Sequence, residues 1–198
     1  MKLRLFFIAM IAFTISVSAQ KMKVESGNFD FLKGQSELKV AFDYSKTTFY
    51  NEKMSEDEYI DKRVKEITGD KGKAEAEKWK NDWDYSKANS FVDKFLASMN
   101  KNMKIKSSAG ANAKYTLIVE TTWVYPGWFA GVMKQPAKVS TSLKFVETAN
   151  PGNVLLVVSS KNAPGDNFVG VANNNDRIAE GYAKTGKSLA KLIDKKVK

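Results

Sequence analysis

One stretch of the sequence matches a phosphate-binding loop letter for letter. From Gly181 to Ser188 it reads GYAKTGKS, which fits the pattern G-x-x-x-x-G-K-[ST]. In nucleotide-binding proteins such a loop follows a strand and opens a helix, so that backbone amides surround the phosphate. Here residues 176–180 read as a helix start, and only ten residues follow Ser188. We therefore expect no nucleotide site at this match.

An amphipathic helix explains the same residues better than a loop does. At about 100° per residue, the lysines of the segment fall on one stripe. They are Lys184, Lys187, Lys191, Lys195 and Lys198. An apolar arc lies opposite, formed by Ile178, Tyr182, Leu189, Leu192 and Ile193. The pattern predicts a helix that starts near residues 173–176 and ends near Lys196, with Gly186 on its buried side and packed closely on a sheet.

The lysine stripe is a candidate surface for an anionic polymer. Lipopolysaccharide, an acidic glycan, nucleic acid and a membrane surface all carry the negative charge that would complement these lysines. Lys101, Lys104 and Lys106 would extend the positively charged surface. The alternative is a solvated helix face that keeps the protein soluble. Stacking aromatic residues are not interleaved with the lysines, which weakens the nucleic-acid interpretation.

The segment 123–136 is the second candidate binding site. It reads WVYPGWFAGVMKQP and places aromatic side chains around a Pro-Gly turn between two predicted strands. The candidate residues are Trp123, Tyr125, Trp128, Phe129 and Lys134. Such a loop can present its rings to a glycan, a partner protein or lipid. The alternative is that the rings fold back over an open end of the core.

The sequence has no His and no Cys, which excludes several kinds of active site. A Ser-His-Asp triad, a Cys nucleophile, a disulfide and the usual zinc site all require one of these residues. The acidic residues also lack a catalytic pattern, because Asp82 and Asp84 point to different sides of a helix and residues 56–58 sit at a helix N-terminus. We therefore predict no catalytic residue, no metal site and no cofactor.

The first 19 residues are typical of a secretory signal peptide. Lys2 and Arg4 precede an apolar run over residues 5–17, and a small-residue cleavage site ends at Ala19. The run is shorter than the ~20 apolar residues that span a bilayer. We expect export without a transmembrane span to the periplasm or outer surface of a Gram-negative bacterium. No Cys follows the run, so a lipoprotein anchor is not expected.

The remaining residues, 20–198, are expected to form a single α+β domain. Alternating apolar residues predict strands near 37–44, 115–125, 139–145 and 154–158, with a turn at 150–153 joining the last two. A capping box at 55–58 opens a helix that Gly69 and Gly72 end, and helices follow over 74–83 and 91–103. The predicted fold is one mixed or antiparallel sheet of four to five strands with helices packed on it as a two-layer sandwich.

Several of these segments also resemble a family of exported Bacteroidetes proteins. The resemblance lies in YPGWFAGVMKQPAKVS, NPGN, NAPGD, FDYS and AEGYAKTGKSLAKLI, and it extends over most of residues 20–198. It implies export, and it assigns no catalytic residue. The order of strand, helices, strands and helix is also similar to small envelope domains such as the TolB amino-terminal domain, a likeness of topology alone.

Together these features predict an exported, non-catalytic binding or accessory protein of the cell envelope. Its partner would be an envelope protein, a glycan or an anionic polymer. Two alternatives stay open: an enzyme that acts on envelope polymers through carboxylates, Lys or Tyr, and a structural subunit of an oligomer.

Overall fold

The computed structural model of the chain describes residues 20–51, 53–130, 133–165 and 174–197. The predicted signal peptide, residues 1–19, lies outside the described residues, as does Lys198. The strands are β1 (Lys21–Gly27), β2 (Glu37–Asp43), β3 (Thr48–Phe49), β4 (Lys106–Ser108), β5 (Tyr115–Tyr125), β6 (Trp128–Ala130), β7 (Met133–Gln135), β8 (Ala137–Glu147) and β9 (Asn150–Gly165). The α-helices are α1 (Glu56–Lys71), α2 (Lys73–Tyr85), α3 (Phe91–Asn102) and α4 (Asn174–Lys196).

The strands form one mixed seven-stranded sheet and a separate β6–β7 hairpin. The order in the sheet is β1-β9-β8-β5-β2-β4, and β3 also pairs with β5. β2 runs parallel to its neighbours β4 and β5, and β3 runs parallel to β5. The neighbouring pairs β1–β9, β9–β8 and β8–β5 are antiparallel. The α+β class and the mixed sheet are confirmed, but the expected four to five strands are wrong. β3 and β4 are very short, and β1 is exposed at every residue except Met22, so none shows an apolar alternation.

β5 is an interior strand of the sheet, between β8 and β2, and a bulge changes which of its residues face the helices. Its register with β8 shifts between Thr121 and Trp123. Before the bulge, the Thr121 hydroxyl lies 2.8 Å from the Tyr182 hydroxyl of α4 and therefore faces the helices. After the bulge it is Val124 that is buried. Trp123 and Tyr125 consequently point away from the helices.

The connection between β8 and β9 differs from the prediction. The turn is at residues 148–149, and Asn150 already belongs to β9 as the partner of Glu147. The next pair joins Val146 to Val154, so residues 151–153 form a bulge where a turn was predicted. β9 then continues past the predicted end at Val158 to Gly165.

The helix starts and ends follow local chemistry. The capping box is confirmed: the Ser55 hydroxyl accepts from the Glu58 backbone N–H at 3.3 Å, and the Ser55 N–H donates to the Glu58 carboxylate at 2.7 Å. α1 runs through Gly69 and ends at Gly72, whose φ is 89°, so the expectation that Gly69 ends it is wrong. α2 and α3 are joined by a π-helical turn, Ser86–Ser90.

α4 confirms the continuous helix predicted over the phosphate-loop match. Gly181 and Gly186 are both buried within it. A Cβ on Gly186 would lie 2.4 Å from the Phe95 carbonyl oxygen of α3, so this glycine packs on a neighbouring helix and the predicted contact with the sheet is wrong. Gly181 makes the close approach to the sheet instead, because a Cβ there would lie 2.7 Å from Val139 Cγ2 of β8. In the described part of the chain, no helix has the length and apolar content of a membrane span.

Candidate functional site

Four aromatic residues gather at the end of β5 and form what we call the aromatic patch: Tyr50, Trp123, Tyr125 and Trp128. The Trp123 and Tyr125 rings are stacked, with centroids 6.2 Å apart and planes at 18°. The Tyr50 ring meets Tyr125 edge-on at 6.0 Å. Trp128 is 42% exposed, and the other three side chains are half-buried. The bulge in β5 produces this patch, because it turns Trp123 and Tyr125 away from the core.

Gln135 fixes the two outer rings of the patch. Its Oε1 accepts hydrogen bonds from the Tyr125 hydroxyl at 2.6 Å and from Trp128 Nε1 at 3.0 Å. Gly127 makes this arrangement possible, since its φ is 73° and a Cβ would lie 2.5 Å from the Gln135 carbonyl oxygen. The patch therefore joins β5 to the β6–β7 hairpin through one side-chain amide.

Tyr50 attaches the patch to the segment after β3. Trp123 Nε1 donates to the Tyr50 carbonyl oxygen at 2.8 Å, and the Tyr50 N–H donates to the Val124 carbonyl at 3.2 Å. The Lys62 ammonium lies 4.7 Å from the centre of the Tyr50 ring. Burial raises the pKa of the Tyr50 hydroxyl above its ordinary value, so it is a neutral hydrogen-bonding group at neutral pH.

Three of the five predicted loop residues are thus brought together: Trp123, Tyr125 and Trp128. Phe129 and Lys134 are Cα partners in the β6–β7 hairpin, and their side chains lie outside the description. Tyr50 and Gln135 were not among the residues predicted from the sequence. The ring of Tyr50 is distant in sequence from β5, and no spacing rule singles out one glutamine in a hairpin.

The structure places four of the predicted stripe lysines on the exposed side of α4: Lys184, Lys187, Lys191 and Lys195. Lys198, the fifth, lies outside the described residues. Lys104 of the predicted extension lines a hollow together with Asp194 and Val197 at the end of α4.

Glu56 belongs to a partly buried polar cluster under the start of α1. One oxygen of its carboxylate accepts from Lys87 Nζ at 2.5 Å and from Trp83 Nε1 at 2.9 Å. The Tyr44 hydroxyl donates to the Lys87 carbonyl at 3.0 Å, and burial raises the pKa of that hydroxyl. The adjoining void has a volume of about 10 Å³, enough for at most one water. This geometry anchors α1 to the π-helical turn and provides no space for a substrate.

A groove of about 670 Å³ lies between α1 and α2. Trp79 lines the groove, and the Arg63 guanidinium lies 5.8 Å from its ring centre. Cations and carboxylates both line the groove: Arg63, Lys71, Lys78, Glu75 and Asp82. This mixture indicates no particular ligand charge. Among the described residues, no group of three carboxylates is arranged to hold a metal ion.

No protein-family model matches the chain, and no curated protein matches it in sequence. Among solved structures the chain is similar to the PelC dodecamer from Paraburkholderia phytofirmans, with 15% identity and a TM-score of 0.42, over 86% of this chain and 97% of that chain. A variant of the same PelC gives a TM-score of 0.40 at the same identity and coverage. At this level of similarity, no function is transferred to this chain.

Proposed function

We propose that the protein is an exported, non-catalytic accessory protein of the cell envelope that binds a glycan through the aromatic patch. The exposed Trp128 ring, held by Gln135 beside the stacked Trp123 and Tyr125, is the observation that carries this proposal. The leader-like first 19 residues and the resemblance to exported Bacteroidetes proteins support the location.

The patch has the chemistry that a sugar ring requires. An aromatic ring offers a flat apolar face to the C–H groups of a sugar, and polar groups at its edge bond the hydroxyls. The Gln135 amide nitrogen has two N–H donors and no partner within the described residues, and Gln135 is exposed. Rings and donors therefore lie side by side on one surface.

The patch is also held in place before any ligand arrives. Hydrogen bonds from Trp123 to Tyr50 and from Trp128 to Gln135 restrict the two indole rings. A rigid aromatic site loses little conformational entropy on binding, so more of the contact energy appears as affinity. This distinguishes the patch from a mobile loop that happens to contain aromatic residues.

Removing Trp128 tests the proposal. The protein recovered from exporting cells would be titrated with isolated peptidoglycan, lipopolysaccharide and soluble neutral oligosaccharides. We expect Trp128→Ala to weaken binding to the glycan that the wild type binds by about tenfold, with the melting temperature unchanged. Tyr85→Ala is the matched control, because Tyr85 is an aromatic residue on α2 that is 62% exposed.

Four results would contradict the proposal. The wild type would bind none of these glycans, or Trp128→Ala would bind as well as the wild type. A large loss of stability in Trp128→Ala would show that the ring covers the core. If the substitution instead changed the sedimentation coefficient, the patch would be a contact between subunits.

A further inference from the structure

The exposed side of α4 is a second surface with a definite chemistry, separate from the aromatic patch. The lysine face consists of Lys184, Lys187, Lys191 and Lys195, and among the described residues none of them makes an ion pair. Two carboxylates border it. Glu180 is paired with Lys94 at 2.6 Å, which leaves Asp194 as the carboxylate that opposes the four lysines.

The first described residue is bonded to this helix. Ser188 of α4 donates to Gln20 Oε1 at 2.7 Å, and Gln20 Nε2 donates to the Ser160 hydroxyl of β9 at 2.9 Å. On a helix with about 100° per residue, Ser188 lies beside Lys184 and Lys191. The chain that precedes Gln20 therefore joins the fold next to the lysine face.

Because Gln20 is bonded to α4, the short chain between Gln20 and the predicted leader would hold this helix near a membrane for as long as the leader is attached. The apolar run of the predicted leader ends at Val17, three residues before Gln20. A fully extended chain spans about 3.5 Å per residue, so Gln20 lies within about 10 Å of that run. This distance is close to the Debye length of about 8–10 Å at physiological salt, so Gln20, which is bonded to the lysine-bearing helix, would lie within the range of the surface potential of that bilayer.

We propose that the lysine face of α4 rests on an anionic lipid bilayer, whose headgroup phosphates it contacts. Cleavage after Ala19 would leave the Gln20 α-amine on the same surface, and this amine is largely protonated at neutral pH. The charge that faces the membrane therefore increases when the leader is removed. Each lysine near an anionic surface contributes about a fivefold gain in affinity.

Vesicle binding tests the proposal. The protein recovered from exporting cells would be mixed with phosphatidylglycerol-containing vesicles and with pure phosphatidylcholine vesicles. We expect binding only to the anionic vesicles, falling steeply with salt. The quadruple variant with Lys184, Lys187, Lys191 and Lys195 changed to Gln should bind on the order of several hundredfold more weakly, because four losses of about fivefold multiply.

A control with the same net charge separates this face from bulk attraction. Lys65, Lys71, Lys73 and Lys80 are exposed lysines of α1 and α2, and changing them to Gln should leave vesicle binding within about threefold of the wild type. Equal losses in both quadruple variants would overturn the proposal. So would equal binding to both vesicle types, or retention on heparin without vesicle binding. Unchanged melting temperatures would show that both variants fold, and Trp128-dependent glycan binding would still report on the aromatic patch.

Discussion

Glu120 shows how one residue can hold three segments of this protein together. It lies in the middle of β5 and is only 7% exposed. Its Oε2 contacts Lys144 Nζ of β8 at 2.8 Å and Lys46 Nζ, just before β3, at 3.0 Å. Burial alone would raise the pKa of Glu120, but hydrogen bonds and charge from Lys144 and Lys46 outweigh it, so the pKa lies below its ordinary 4.5.

This shift predicts how stability depends on pH. A carboxylate with a lowered folded-state pKa stabilises the fold fully above its unfolded-state pKa, and the contribution is lost as the pH falls through the folded-state value. We expect Glu120→Gln to reduce the free energy of unfolding by about 1–3 kcal/mol at pH 7. The gap should begin to shrink as the pH falls below about 4.5, where Glu120 takes up a proton in the unfolded chain, and it should close as the pH falls through the lower pKa of the folded state.

Denaturant unfolding between pH 3 and pH 8 would measure this effect. Glu37→Gln is the control, since Glu37 is an exposed carboxylate of β2 with no ion pair among the described residues. The free energy of unfolding of Glu37→Gln should equal that of the wild type at every pH. If the difference in free energy of unfolding between Glu120→Gln and the wild type stayed constant across the pH range, the ionised contacts of Glu120 with Lys144 and Lys46 would not be its source.

The contact between α3 and α4 depends on a missing side chain. A Cβ on Gly186 would lie 2.4 Å from the Phe95 carbonyl oxygen, and this backbone atom cannot move without displacing α3. Overpacking of this kind costs about 1–3 kcal/mol, which exceeds the gain of about 0.5–1 kcal/mol from replacing glycine in a helix. Gly186→Ala should therefore lower the free energy of unfolding by about 1–2 kcal/mol.

Gly69 provides the matched control within the same protein. It lies inside α1, and a Cβ there would meet nothing within 4 Å. Gly69→Ala should raise the free energy of unfolding by about 0.5–1 kcal/mol. Urea unfolding of both variants would measure the difference. If Gly186→Ala were as stable as the wild type, the close approach of the two helices would be wrong.

Elements with a regular apolar pattern or a clear cap could be predicted from the sequence. β5 has the predicted bounds, α1 begins at the predicted cap, and α4 ends at Lys196. β1 could not be predicted, because a strand that is exposed along an edge has no apolar alternation. The residue that packs on Gly186 could not be predicted either, since a helical wheel shows which side of a helix is buried but not which element covers it.

The candidate site could be predicted only as far as local sequence reaches. The loop prediction named Trp123, Tyr125 and Trp128 from a run of aromatic residues around a Pro-Gly turn. Gln135 is linked to them by hydrogen bonds between strands, and Tyr50 by the pairing of the β3 segment with β5. Such long-range partners depend on the topology, which periodicity does not specify.

At the scale of the whole molecule, one edge of the sheet is formed by β1, a strand that contributes little to the hydrophobic core. β1 pairs with β9 at six positions, from Lys21–Lys161 to Gly27–Leu156. Met22 is its half-buried apolar residue, and Lys21, Lys23 and Glu25 are exposed. Charged residues on an edge strand prevent other chains from adding to the sheet. β1 therefore serves more to protect β9 than to fill the interior.

Removing residues 20–27 tests this role. The loss of Met22 burial costs about 1–2 kcal/mol, so we expect the shortened chain to fold. Residues 156–161 of β9, which pair with β1, would then have no partner strand on that side, so the sixteen-residue β9 would be an open edge along its whole length. Unpaired edges of this length pair with one another, so sedimentation velocity should show concentration-dependent association that the chain with β1 lacks under the same conditions. A folded, monomeric deletion variant at every concentration would show that β9 is protected by its own sequence and not by β1.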